Sequence, residues 1–243
     1  MRQLFDLEGP FLSGLNKLAD IIILNIIYLV CCIPVFTIGP ATTALYYVTL
    51  KMAKNEDCYP VKSYFKSFKD NFKQGTVIWL ILLAVAVILF LDLKITNGEY
   101  ASAFAFPESI ASIMIILILL AMFIWTIVVS YVFPVLSKFD NTVKNTLRNS
   151  LLMGIKHLPW TVLILLINVL PWFILYILPG VFIILAISFA LCAYGCSFIF
   201  VRIFKNYIPE EAVVTSDEQF SINPDQESFL FKDKPESLEE SEK

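Results

Sequence analysis

The stretch ADIIILNIIYLVCCIPVFTIGPATTALYY, Ala19 to Tyr47, decides how this chain folds. It opens with an apolar run long enough to cross a bilayer core of roughly 30 Å at about 1.5 Å per helical residue. It then breaks at Pro34 and again at Gly39-Pro40, and a shorter run begins at Ala41. Each interior proline removes a backbone donor and clashes with the preceding turn, so the helix must bend or unwind there. Backbone outside a helix survives at membrane depth only where protein or a watery cavity covers it. The break therefore has two readings: a plain hairpin turn, or a functional unwound segment. In the second, free carbonyls and the side chains of Pro34, Thr37, Gly39, Pro40, Thr42, Thr43 and Tyr46 would border a cavity. In the first, Gly39 answers a backbone demand and the threonine hydroxyls are expendable.

Composition agrees with a membrane setting. The chain has 243 residues, 58% of them hydrophobic and 16% charged, against about a quarter charged in soluble domains. Charge is segregated. Residues 1–205 carry 15 Lys/Arg and 10 Asp/Glu, net +5, whereas residues 206–243 carry 3 and 11, net −8. The expected organisation is an all-α, polytopic transmembrane helix bundle over 1–205 and an acidic disordered tail over 206–243, which lacks the apolar surface to order itself. Membrane segments are expected at about 17–36, 41–52, 76–91, 110–133, 159–178 and 181–204, five or six in all. The segment 41–52 is short, and reads as spanning or re-entrant. Pro134 is expected to stop or kink its helix, and Pro171 to kink another. Asn97-Gly98 reads as a turn in an exposed loop, and Pro179-Gly180 as a tight turn.

Two further stretches are amphipathic. In Tyr59–Gln74, Val61, Phe65, Phe68 and Phe72 recur at helical spacing, with Lys62, Lys66, Lys69 and Lys73 one position on. Adjacent positions lie about 100° apart around the axis, so the two stripes flank each other. Aromatics in the acyl boundary with lysines reaching phosphates suit an anionic inner leaflet or a protein partner. In residues 138–158 the apolar face is read as Val143, Leu147, Leu151 and Ile155. Ser67-Phe68…Phe72-Lys73 and Ser150-Leu151…Ile155-Lys156 echo each other at 83 residues, each before a spanning run. Repeated units of this kind are common in transporters.

Lys/Arg placement sets the expected orientation. Residues 51–73 hold six and residues 138–156 hold four, which points to cytoplasmic loops and cytoplasmic termini in a cell membrane. Asn25 and Asn168 are the polar side chains best placed inside spanning runs, either to bond between helices or to line a path. Ser188, Cys192 and Cys196 recur every four residues beside Gly195, a face small enough for close helix approach. The chain shows no H-E-x-x-H, no glycine-rich phosphate loop and no C-x-x-C. No catalytic, metal or cofactor residue is assigned, no enzyme activity is expected, and no nucleic-acid partner is implied.

The run NKLADIIILNIIYLVCCIPVFTIGPATTALYYVTLKM, followed by FKSFKDNFKQ, resembles the YesL-like family of bacterial integral membrane proteins of unknown function. The resemblance covers roughly residues 1–205, and Pro34–Tyr47 with the Phe/Lys helix are its most specific parts. It implies an accessory of carbohydrate uptake in a Gram-positive bacterium, with an ABC-type sugar permease or a homo-oligomer as partner. The alternative is a small membrane transporter or channel in its own right. The resemblance supplies no catalytic residue and no cofactor.

Overall fold

The computed structural model describes residues 10–96, 108–177 and 185–207, and every regular element among them is helical. The elements are α1 (Pro10–Cys31), a 3₁₀ turn (Val35–Thr37), α2 (Ile38–Ala53), α3 (Pro60–Asp70) and α4 (Phe72–Thr96). They continue with α5 (Glu108–Lys138), α6 (Val143–Lys156), α7 (Leu158–Ile177) and α8 (Leu185–Phe204). The chain divides into two compact units, Met1–Val201 and Arg202–Lys243. The turns read at Asn97-Gly98 and Pro179-Gly180, and the tail from residue 208, lie outside the described residues.

By length and composition, Gly14–Cys31, Phe72–Thr96 and Ser112–Lys138 can each cross a membrane. A fourth crossing is possible if the pair Val143–Lys156 and Leu158–Pro171, bent by 102°, counts as one span, and Ser188–Phe204 is a shorter apolar helix. The apolar residues of α4 and α5 look outward, Val87, Ile88, Phe90, Ile116 and Leu117 all being more than half exposed. A soluble fold would bury them; here hydrocarbon is their natural solvent.

The centre of the bundle is α2, the segment expected to be merely short. Eleven of its 16 residues are buried. It packs against α1, α3, α4 and α5 at once. It stops at Asn55, whose φ of 56° is the left-handed conformation that asparagine tolerates well. Asn55 N–H donates to the Met52 carbonyl and Glu56 N–H to the Lys51 carbonyl, closing a Schellman-type cap. The Asn55 side chain also accepts from Lys17 Nζ at 2.7 Å, so the start of α1 and the end of α2 lie together.

At its other end this α1–α2 hairpin meets α4 at Gly75 and Trp79. Those residues lie about 5 and 11 Å from the start of a helix about 37 Å long. The tip thus reaches only the first third of α4, although α1 alone is long enough to cross. The tip residues Ile33, Val35 and Phe36 are exposed and apolar, as a lipid-covered bend requires.

Several boundaries differ from expectation. α1 begins at Pro10, which suits a first helical residue because its missing N–H is an orphan there anyway. Asp92–Thr96 continue α4 instead of opening a loop. Pro134 neither stops α5 nor ends it early, and residues 131–136 around it are all buried. Packing on every side there outweighs one lost backbone bond. The amphipathic stretch 59–74 divides at Asn71, whose side-chain amide turns back to the Ser67 carbonyl at 3.0 Å.

A hairpin of this depth makes a labelling prediction. Cysteine placed at Val35 should resist a membrane-impermeant maleimide added outside intact cells. Labelling above the background of the native protein would show that α1 crosses fully.

Candidate functional site

The break between α1 and α2 frees several carbonyls, and those of Cys31, Pro34 and Val35 each have a donor. Thr37 Oγ1 lies 2.6 Å from both the Cys31 and the Pro34 carbonyl oxygens, so its single proton serves either. Thr37 N–H also donates to Pro34 O at 3.0 Å. The indole Nε1–H of Trp79 donates to the Val35 carbonyl at 2.8 Å. Thr42 and Thr43 donate back into their own helix, to Ile38 O at 2.7 Å and Gly39 O at 3.0 Å. Thr42 also meets the Tyr28 hydroxyl at 3.3 Å. Tyr46 is buried, edge-on to Phe200 at 5.8 Å between ring centroids. Pro34 is exposed, whereas Gly39 and Pro40 are buried.

Gly39 is fixed by contact. Its φ is ordinary, but a Cβ there would overlap the Gly75 carbonyl and lie 2.7 Å from Trp79 Cβ. A Cβ on Gly75 would lie 2.9 Å from the Pro40 nitrogen. Two glycines let two backbones touch, which is the general use of small residues between membrane helices. The expected backbone demand at Gly39 is therefore replaced by a steric one. Sequence reading missed Gly75, although a lone glycine inside a helical run is itself a packing signal.

The intramembrane asparagines both bond between or within helices. Asn25 is fully buried on α1, and its Oδ1 accepts from Ala190 N–H on α8 at 2.9 Å. Asn168 Nδ2 donates to Ile164 O at 2.8 Å within α7 and meets Cys196 Sγ at 3.5 Å. Cys192 Sγ approaches Ile167 O at 3.4 Å, so the small-residue face of α8 does receive α7. Two hydroxyl pairs that periodicity could not pick out complete the set: Ser197 with Thr49 at 2.8 Å, and Tyr131 with Thr161 at 2.8 Å. Asn168, Pro171, Ser188, Phe189 and Cys192 also line a cavity of about 110 Å³ between α7 and α8.

The amphipathic helices dock by a face that the apolar periodicity did not reveal. On α3 the buried residues are Tyr64 and Ser67, while Val61, Phe65 and Phe72 (at the start of α4) stay exposed. On α6 they are Thr146, Ser150, Met153 and Gly154. Leu147 and Leu151 are half-buried, and Ile155 is exposed, so the face read as Val143/Leu147/Leu151/Ile155 is not the seam. The reason is space: a Cβ on Gly154 would strike Ile127 of α5, and only a stripe of small residues admits α5 so closely. Thr146-x₃-Ser150-x₃-Gly154 was the signal available. It matches Ser63-x₃-Ser67-x₃-Asn71 at 83 residues, the same interval that separates the caps Tyr59 and Thr142. Lys62, Lys66, Lys69 and Lys73 are all exposed, beside Phe65 and Phe72, with Phe68 half-buried. Burial, foremost, and the neighbouring Cys31 and Cys32 thiols push the Tyr64 phenol far above its ordinary range, so it remains protonated.

These contacts separate the threonines. Thr37→Val leaves the Cys31 carbonyl without a donor, which should cost about 1–3 kcal/mol. Thr42→Val and Thr43→Val touch carbonyls already within helical reach and should cost under about 1 kcal/mol. Gly75→Ala should cost about 1–3 kcal/mol through overpacking. Thermal unfolding in mild detergent reads all four, and equal midpoints for Thr37→Val and Thr43→Val would contradict this account of the break.

Residues 21–93 match the family described as protein of unknown function DUF624. The chain is 30% identical to the uncharacterized protein YteU of Bacillus subtilis (strain 168) over 148 residues, 60% of this chain and 63% of YteU. It is 28% identical to the uncharacterized protein YesL of the same organism over 141 residues, 58% of this chain and 63% of YesL. The chain thus spans less than two thirds of the length of either relative. No solved structure matches. The matched region holds most of α1, α2, α3 and most of α4, and with it the Pro34–Tyr47 run: the chain is similar to YteU and YesL, and its residues 21–93 match the DUF624 family.

Proposed function

We propose that this is a non-enzymatic integral membrane protein that assists carbohydrate uptake, acting on a partner such as an ABC-type sugar permease. One observation carries the structural half of the reading. Several polar side chains of the bundle are spent on one another or on backbone: Asn25 on Ala190, Thr49 on Ser197, Tyr131 on Thr161, Thr37 and Trp79 on the break. Such groups hold helices in register, which suits a scaffold that presents surfaces. The carbohydrate half comes from the YesL-like resemblance. Both termini in the cytoplasm, and a homo-oligomer as the alternative assembly, belong to the same reading.

A second reading, a small transporter, draws on the cavity beside Pro171, where Asn168, Ser188 and Cys192 bring polar atoms to a proline-interrupted helix. Reconstitution separates the two. Under the accessory reading, deleting the gene should lower uptake of a labelled oligosaccharide by cells several-fold, while purified protein alone in liposomes moves none. Uptake by the liposomes would establish the transporter reading, and undiminished uptake by the deletion strain would remove the accessory one.

A further inference from the structure

The surface formed by α3 and α6 has a more definite chemistry. Each helix has three faces where a simple amphipathic helix has two. Small and polar residues enter the bundle, Tyr64 and Ser67 on α3 and Thr146, Ser150 and Gly154 on α6. That leaves both the apolar and the basic residues outside. On α3 Val61 and Phe65 lie outward beside Lys62, Lys66 and Lys69, and Phe72 and Lys73 at the start of α4 are exposed as well. On α6 the outward residues are Lys144 and Arg148 nearer its start, Leu152 and Ile155, 54% and 51% exposed, nearer its end, and the exposed Lys156 in its last turn. The two helices are linked through α4: α3 leads into it at Phe72, and the Gln74 side-chain amide at its foot donates to the Asn141 carbonyl in the loop that opens α6.

We propose that α3 and α6 form one binding surface for anionic phospholipids, with Lys62, Lys66, Lys69, Lys73, Lys144 and Arg148 on the headgroup phosphates and the exposed Phe, Leu and Ile side chains in the acyl boundary. Charge and depth select this occupant together. Six cations flank apolar side chains that need hydrocarbon, and the lipid headgroup region is where phosphate and hydrocarbon meet within one side-chain length. On both helices exposed cations stand beside exposed apolar side chains, which matches helices lying along this boundary. A soluble acidic protein would meet the cations but would leave Val61, Phe65 and Phe72 without an apolar environment. The surface is independent of the uptake reading, since it concerns only which lipid this end of the bundle holds.

The test uses the full chain in nanodiscs of equal phosphatidylglycerol and phosphatidylcholine, with trace spin-labelled lipid of either headgroup. The wild type should hold the phosphatidylglycerol probe about 3- to 10-fold more strongly, a preference that falls at 1 M salt, where screening acts within about 3 Å. Lys62→Gln, Lys66→Gln, Lys69→Gln and Lys73→Gln together should bring the ratio close to one. These side chains are exposed and glutamine is a good helix former, so folding should hold, checked by helicity and a monodisperse elution profile. Lys144→Gln with Arg148→Gln should lower the ratio part way. Lys94→Gln, at the far end of α4, should leave it unchanged. A wild-type ratio near one, or a preference that survives both sets of substitutions, would overturn the proposal. A preference lost equally in Lys94→Gln would also overturn it, because net charge alone would then suffice.

Discussion

A carbonyl set free inside an apolar bundle has to find a donor, and the fold is arranged around the few that the break between α1 and α2 releases. Water cannot serve them at depth, and an unmet buried polar group costs several times what a made hydrogen bond contributes. Thr37 covers Cys31 and Pro34 from within the break, and Trp79 on α4 gives the Val35 carbonyl a second donor beside the Ile38 N–H. The tryptophan can do so only because α4 lies against the hairpin, and it lies there because residues 39 and 75 are both glycine. The close approach of the two glycines thereby brings a tertiary hydrogen bond to the break. That contact in turn holds α2 at the centre, where α1, α3, α4 and α5 all meet it.

The same economy governs the rest of the bundle. Apolar side chains gain nothing by choosing helix over lipid, so association falls to close approach and to polar pairs. Gly154 under Ile127, the Thr49–Ser197 and Tyr131–Thr161 hydroxyl pairs, and Asn25 on the α8 backbone are all of this kind. Large apolar residues are left for the outside, and on α3 and α6 the lysines are left there too. A protein built this way offers its surroundings a surface more readily than a path, which is why the functional reading rests on what the surface can bind.

Much of this was legible in the sequence. Composition and the length of the runs gave an all-helical membrane protein, and the paired Phe and Lys stripes gave the exposed faces of α3. The prolines and glycine marked the break, and the Pro34–Tyr47 run marked the relatives. What escaped has a common physical cause. Periodicity of apolar residues locates a seam when water drives burial, but in lipid the seam is made of small residues. Thr146, Ser150 and Gly154 were therefore passed over in favour of Leu147, Leu151 and Ile155. Pro134 lies inside α5 and does not stop it, and the burial around it cannot be read from its neighbours alone. Gly39 was assigned a conformational role because its partner, Gly75, lies 36 residues away in sequence. The depth of the hairpin was illegible for the same reason: length permits α1 to cross, and only the Gly75 and Trp79 contacts limit how far it reaches.

The break is held by the Thr37 and Trp79 hydrogen bonds and by the close approach of Gly39 to Gly75. Hydrogen–deuterium exchange of the full chain in nanodiscs, followed by mass spectrometry, measures this at the backbone. Peptides covering residues 31–42 should exchange as slowly as those from the middle of α2, over hours, because every opening must break the Thr37 and Trp79 bonds and part the two glycines. Full exchange of that peptide within seconds, beside a protected α2, would mean an open, hydrated segment and would contradict the account.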